Sequence, residues 1–326
     1  MTEYVAKILS EDDFSGFEPL YNDFRVRAVS QYGFELEPLG FEDFIDSIKK
    51  NLISCIVLYE DGIQSAFLVY TTMISEAVEL NIIHSFGMEN MMQRARALCE
   101  KFMELTKDVR KNKVVCYPML GEQKGLIGEV ARFGFKFVGI TVLRFMMSGT
   151  NSREILDMTV FKNIPPCYSV IPWDDKYLNQ AVQVVNEAFS TSADALFDPR
   201  FKTLDGTFDI LNKITKNIYA DFMPEATSIL MCDRYPVGFC FMNKTNDIAN
   251  IPIVAIKKDR QGRRLSKLML THSLDTVIES VTNGKSYISE INTCTETNNF
   301  QALKLYRHLG FKEDYSYPQS YLPVKA

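Results

Sequence analysis

The sequence predicts an α+β protein built as two tandem copies of one fold, each a mixed sheet flanked by helices. Three observations carry this: a length too great for one core, landmarks that recur at a nearly fixed offset, and strand runs interleaved with amphipathic helical segments. At 326 residues the chain exceeds what a single hydrophobic core usually serves, so two domains are expected. Leu58–Tyr70 and Leu230–Met242 each read as an apolar strand, a polar turn carrying Asp, and a second apolar strand, with Asp61 and Asp233 at an offset of 172 (233 − 61). A Gly-Phe pair recurs at Gly134-Phe135 and Gly310-Phe311, an offset of 176 (310 − 134). Two independent landmarks at such similar offsets mark an internal repeat. The expected division is domains 1–150 and 167–326 joined by a linker at 151–166, which ends in Pro165-Pro166.

In the second copy, period-2 and continuous apolar runs mark strands, and i, i+3, i+4 spacing marks helices. A strand at Tyr168–Ile171 leads to helices near Lys176–Phe189 and Thr207–Tyr219. Strands follow at Ser228–Cys232, Val237–Asn243 and Ile248–Ile256, then a helix over Arg264–Val281 and a strand over Ser286–Thr295. The last helix, Phe300–Leu309, stops at Gly310, where a left-handed conformation is needed.

Composition narrows the chemistry. A net charge of −5 gives no global attraction to nucleic acid or an anionic membrane. The acidic start and the lack of a long apolar run lead us to expect neither a secretory signal nor a membrane span, hence a cytoplasmic protein. Seven cysteines without a C-x-x-C pair read as reduced core thiols. Three histidines without metal-ligand spacing point to a metal-free mechanism.

The densest signal is Ile251–Leu270, a buried strand running through a short loop into a long helix. Six of the eleven residues from Lys257 to Lys267 are basic. A strand, a glycine-bearing loop and a helix N-terminus together form an anion site, because free backbone N–H groups and the helix dipole converge there. Cations at a helix N-terminus oppose that dipole by up to about 1 kcal/mol each, so a bound polyanion is a reason for their presence. A solvated basic turn is the other reading.

The loop Asp259–Lys267, with Gln261, Arg264 and Ser266 at the marked places, resembles the Q/R-x-x-G-x-G/A signature of the GNAT acyltransferase superfamily. The stretch Asn299–Phe311 is similar to that family's N-x-x-A-x-x-L-Y-x-x-x-G-F at every marked position. The resemblance implies a mostly antiparallel sheet in each copy, with strands 4 and 5 splayed and acetyl-CoA as acyl donor. It places the pantetheine arm on the backbone of Val254, Ala255 and Ile256, and the pyrophosphate on Gln261, Gly262, Arg263, Arg264, Leu265, Ser266 and Lys267. Asn299 would hydrogen-bond the cofactor, and Tyr306 would act as general acid toward the departing thiolate. A core aromatic is the alternative reading of Tyr306. Glu290 is the first candidate base, with Glu296 and Asp194 behind it; a solvent-facing strand glutamate is the alternative reading of Glu290. Arg264 and Ser266 depart from the small residues of the signature, and backbone approach to a pyrophosphate is expected to be less close.

Shifted back by an offset of the same size, the loop falls at His84–Met92, which carries no Lys or Arg and contains Glu89; the first Arg beyond it is Arg94. The later helix of this half, Gly125–Phe133, has no tyrosine. The first copy is therefore expected to be a degenerate GNAT domain serving structure, substrate shaping or contacts in a homodimer. Its stretch Tyr21–Phe44 reads either as the lining of a cleft for a basic acceptor or as an ordinary helix pair. The function expected is N-acetyl transfer to a primary amine of a small molecule or peptide; a non-catalytic acyl-CoA-binding regulator is the alternative.

Overall fold

The computed structural model describes residues 2–32, 37–73, 77–147 and 156–324. Residues 151–155 of the expected linker, and 33–36 of the stretch Tyr21–Phe44, lie outside them. The chain divides into two compact units. The first comprises Met1–Gly139, Leu196–Asp198 and Tyr317–Ala326, and the second Ile140–Ala195 and Pro199–Ser316.

The first unit contains β1 (Tyr4–Ile8), α1 (Phe14–Ser30), α2 (Phe41–Lys49), β2 (Ser54–Glu60), β3 (Ile63–Thr71), β4 (Ala77–Ser85), α3 (Met91–Leu105), β5 (Val114–Pro118) and α4 (Ile127–Arg132). Its strands lie in the order β1-β2-β3-β4-β5. Neighbours are antiparallel except β4 and β5, which run parallel. Alternation along each strand supplies a core on both faces. Cys55 and Val57 pack with α1 and α2, while Ile56 and Leu58 pack with α3 and α4. Tyr21 and Phe44 stack at 4.2 Å between ring centroids, and Phe17 meets Phe67 edge-on at 5.1 Å. These described aromatics of Tyr21–Phe44 therefore fill the core under α1 and α2 instead of lining a cleft.

β6 (Lys136–Met146) starts in the first unit, but its residues from 140 onward belong to the second. The second unit continues with β7 (Tyr168–Pro172), α5 (Leu178–Phe189), the start of α6 (Asp194–Phe197), α7 (Leu204–Thr215), β8 (Asp221–Phe222), β9 (Ser228–Cys232) and β10 (Tyr235–Thr245). It ends with β11 (Ile248–Ile256), α8 (Leu265–Thr282), β12 (Glu290–Glu296), α9 (Phe300–His308) and β13 (Lys312–Leu322). Its sheet runs β6-β12-β11-β10-β9-β7, with β8 beside β10. Among the described residues only β11 and β12 pair in parallel. The tail of β13, Gln319–Leu322, pairs with β5 inside the first unit, and residues 140–146 pair with β12 inside the second.

The repeat is visible in the backbone. Asp61 and Asp233 both sit at positive φ (49° and 55°), as do Gly134 and Gly310 (89° and 91°). Each landmark read from sequence thus marks one turn used twice. Four cysteines are buried, as expected of core thiols, but Cys167 and Cys232 are half-buried and Cys294 is exposed.

One close approach positions the segment between α5 and α7. A Cβ on Gly206, in the first turn of α7, would lie 2.4 Å from the Arg200 carbonyl oxygen and 2.6 Å from its Cα. Alanine normally stabilises a helix interior by about 1 kcal/mol over glycine, but here it must push backbone apart. Gly206→Ala is expected to lower unfolding free energy by about 1–3 kcal/mol in urea denaturation; a gain in stability would show that this approach is not tight.

Candidate functional site

The site begins with a parallel strand pair that does not stay paired. β11 and β12 are in register only over Ile248–Asn250 and Glu290–Asn292, although both strands run on. β4 and β5 repeat this, pairing over Ala77–Glu79 and Val114–Cys116 and then separating. Each longer strand also carries one extra residue against its antiparallel neighbour. The shift falls between Ile82 and Leu80 in β4, and between Ile253 and Asn250 in β11. A bulge of this kind bends a strand and re-aims its backbone. Beyond it, N–H and C=O groups facing the splay need partners other than a strand.

In the first unit a side chain supplies them. Gln123 Oε1 accepts from the Ile83 N–H (3.2 Å) and its Nε2 donates to the Ile83 carbonyl (2.9 Å). The Tyr117 hydroxyl donates to the same Oε1. This is the double hydrogen bond an extended amide makes with a strand. Gly121, at φ +51°, lets the segment close down: a Cβ there would lie 2.1 Å from the Gln31 carbonyl oxygen. Gln123 stands as far before Gly134 as Asn299 stands before Gly310. The two amides hold equivalent places, but Asn299 is one methylene shorter and does something else. Its Oδ1 caps α9 by accepting from Ala302 N–H (3.1 Å), and its Nδ2 donates to Thr295 Oγ1 (3.2 Å). The sequence reading passed over Gln123, although the offset of the Gly-Phe landmark, applied to Asn299, leads directly to it.

The helix-entry loops diverge in the same way. Arg264 precedes α8 at φ 62°, ψ 16°, and Asn90 precedes α3 at φ 56°, ψ 13°. Their offset falls between those of the two sequence landmarks, so they are the same position of the repeat. Among the described residues the other non-glycine positions of positive φ are Asn or Asp, which tolerate it. Arginine does not, so Arg264 carries a conformational cost of about 1 kcal/mol. The signature asks for glycine there, and the backbone keeps the glycine conformation despite the arginine. Gly262 takes φ 75°, and Gln261 Nε2 donates to the Ile256 carbonyl (3.1 Å), tying the loop to the end of β11. The Lys258 N–H donates to Glu187 Oε1 (2.9 Å), and Lys267 pairs with Asp157 (2.8 Å). In the first unit Asn90 Nδ2 donates to Glu60 (2.8 Å), and Arg94 turns inward to Glu60 (2.8 Å), Ser85 (3.0 Å) and the Phe86 carbonyl. Phe86 and Met88 are exposed there, and Glu89 and Asn90 stand where the second unit has Arg263 and Arg264.

Tyr306 is 6% exposed and packs in the core beneath α8 and α9, yet its hydroxyl reaches the splay. Thr293 Oγ1, one residue past the paired part of β12, lies 3.5 Å from Tyr306 Oη and donates to the Ile251 carbonyl (3.1 Å). The ring is a core aromatic, as the alternative reading has it, and its hydroxyl lies beside Thr293. Burial raises its hydroxyl well above the usual value, so it is protonated at neutral pH. Val130 stands at its place in the first unit, four residues before the Gly-Phe pair, and is fully buried.

Glu290 is not a solvent-facing strand glutamate. It is 8% exposed, at the closed end of the splay, and is ion-paired with Arg144, which also pairs with Asp314 (2.7 Å). By strand alternation it faces away from the side of Thr293 and Tyr306. The structure thus does not bring Glu290 together with Tyr306. Asp194 accepts from Ser192 Oγ (2.9 Å) and interacts electrostatically with Cys294, whose side chain by the same alternation shares the Glu290 face of β12. Both groups are open to solvent. Even so, surrounding protein raises the Asp194 carboxyl, and burial, with a smaller contribution from Asp194, pushes the Cys294 thiol up to about 11.

In the first unit His84 is fully buried beside the splay, with Nδ1 2.9 Å from the Tyr32 hydroxyl and Nε2 3.0 Å from Asp23. Burial, then the charge of Arg27, pushes it down to about 3. The unfolded chain, with an ordinary histidine, binds the proton more readily below about pH 6.5, so His84 stabilises the fold above that pH and loses its contribution as pH falls toward 3. The stability difference between wild type and His84→Gln is expected to shrink by up to about 1.4 kcal/mol per pH unit across that window. Urea titrations at several pH values measure it, and a difference that stays flat would remove His84 as the cause. Relief of the backbone cost at Arg264 is testable the same way: Arg264→Gly is expected to raise stability by about 1 kcal/mol and Arg264→Val to lower it. Equal stability for the two variants would contradict the left-handed geometry.

No family model matches the sequence, and no curated protein matches it significantly. Solved structures do. A GCN5-related N-acetyltransferase from Sphaerobacter thermophilus is similar over 99% of this chain and 96% of its own, with a TM-score of 0.65 and 14% identity. A tandem GNAT protein from the clavulanic acid biosynthesis pathway is similar over 100% and 99%, at TM-score 0.55 and 13% identity. The glucosamine N-acetyltransferase region of a fungal multi-domain β-N-acetylglucosaminidase gives TM-score 0.63 at 9% identity, over 99% of this chain and 38% of that one. At these identities the likeness is one of fold.

Proposed function

We propose, for a chain with the tandem GNAT fold, that it is an acyl-CoA-dependent N-acyltransferase whose second unit binds acetyl-CoA and acetylates a primary amine of a small molecule or peptide. The observation that carries this reading is the contrast between two equivalent splays. One is filled by Gln123; the other leaves strand backbone around Val254 for an extended amide and has a basic, glycine-shaped loop at its end.

Acetyl-CoA supplies an acyl group activated as a thioester. The backbone of Val254, Ala255 and Ile256 offers the pairing edge for the pantetheine amides, in the manner Ile83 uses for Gln123. The amides of Gln261–Lys267 and the guanidinium groups of Arg263 and Arg264 hold the pyrophosphate, as a helix N-terminus does. Asn299 stands at the mouth of the splay as a further donor. Tyr306 keeps its proton and presents it beside Thr293, where it stabilises the sulfur that departs when the C–S bond breaks and the C–N bond forms. The amine loses its proton to a carboxylate. Asp194 suits this role better than Glu290, whose charge is committed to Arg144, and its raised carboxyl lies closer to the range in which a base works. The first unit, closed by Gln123 and Arg94, serves as scaffold.

Calorimetric titration with acetyl-CoA and a thiol-release assay on a panel of amines test this. Saturable binding is expected, at least tenfold weaker in the double variant Arg263→Glu with Arg264→Glu. Amine-dependent thiol release is expected to fall by about 10²-fold or more in Tyr306→Phe, and the limiting pKa on the acidic side of the rate profile to vanish in Asp194→Asn. Binding without turnover on any amine would favour an acyl-CoA-responsive regulator. Absence of binding would end both readings.

A further inference from the structure

We propose that Asn243, Asn250 and Asn292 form a row of carboxamides that receives the hydroxyl-bearing body of the acceptor, so that the substrate of the second unit is an amine on a hydroxyl-rich framework. That this body belongs to the acceptor rests on the acyltransferase reading; the row rests on the sheet. Strand register aligns the three side chains. Asn243 of β10 lies opposite Asn250 of β11, Asn250 opposite Asn292 of β12, and Asn292 opposite Arg144 of β6. Directly opposed residues share one face of a sheet. The residues that alternate with them, Ala249, Ile251 and Ile291, pack in the core beneath α8, so the row lies on the other face. There Phe239, Phe241, Ile253 and Ala255 are covered by α5 and α7. Across the bulge between Ile253 and Asn250 the apolar lining gives way to carboxamides. Asn250 and Asn292 are also the last pair before β11 and β12 separate, which sets the row at the closed end of the splay.

Burial shows what the row lacks. Asn243 is 7% exposed and Asn292 8%, and Asn243 Oδ1 is buried with no hydrogen-bond partner among the described residues. A polar group left in that state is costly, and native proteins rarely keep one without a use. A ligand hydroxyl supplies the missing donor. Each carboxamide offers an acceptor oxygen and two N–H donors, and so matches a hydroxyl in both of its roles. Neighbouring strands are about 4.8 Å apart, so the three carboxamides span roughly 10 Å, the reach of one small ring with its substituents. At the end of the row the charge of Arg144 is committed to Glu290 and to Asp314 (2.7 Å). The row therefore recognises by hydrogen bonding and not by charge, and an apolar amine would cover its amides without satisfying them.

Calorimetry on the full chain, with and without CoA, tests the row with two amines as probes: glucosamine, which is hydroxyl-rich, and cyclohexylamine, which is not. Glucosamine is expected to bind at least about tenfold more tightly, and Asn250→Leu and Asn292→Leu to abolish that preference. In urea denaturation Asn243→Leu is expected to keep or raise the midpoint, because leucine fills a similar space and buries no polar atom, while glucosamine affinity falls at least about fivefold. Equal affinity for the two amines, a preference that survives all three substitutions, or a lower midpoint for Asn243→Leu would overturn the proposal. These readouts need no turnover. A chain that prefers glucosamine through these residues yet acetylates no amine would retain the subsite and lose the acyltransferase reading, and the reverse result would separate them the other way.

Discussion

A parallel strand pair that separates after three residues leaves backbone donors and acceptors unmatched in the interior, and the rest of the structure is organised around that deficit. A buried peptide group without a partner costs about 1–3 kcal/mol, so something must lie in the splay. Gln123 meets the need in the first unit with both atoms of its amide and is itself fixed by Tyr117. In the second unit the equivalent amide, Asn299, is turned to its own helix terminus. One methylene group distinguishes the amide that closes its neighbouring strand from the one that caps its own helix.

The loops at the end of each splay follow the same division. Both enter their helices through a left-handed residue, which points backbone N–H groups outward. In the first unit the charges near that turn are consumed internally, Arg94 by Glu60 and the Phe86 carbonyl. In the second, Arg263 and Arg264 are carried at the turn, and arginine persists at a backbone angle that suits it poorly. Strain retained at such a position is a common mark of a binding site.

Much of this was legible in the sequence because the signals are local. Asp61, Asp233, Gly134 and Gly310 announce turns of positive φ, and the strands of the second copy follow from apolar runs within a few residues of their observed ends. The basic loop also stands out by composition. Other features depend on what lies across the fold. Glu290 reads as an exposed strand residue, and only the arrival of Arg144 from β6 buries and pairs it. Cys167 and Cys232 read as core thiols, yet the edge position of β7 leaves both half-buried. Gln123 gives no local sign of its role, since its partner is the backbone of Ile83, far back along the chain.

The plug formed by Gln123 also separates how the two splays respond to their surroundings. A strand satisfied by its own side chain has a stability fixed by the chain. A strand completed by a ligand gains RT ln(1 + [L]/Kd) of stability, and so reports the concentration of that ligand. On the function proposed above, depletion of the acyl donor would loosen the second splay first while the plugged one stayed as it was, so the resistance of α8 and β12 to proteolysis would follow the acyl-donor supply.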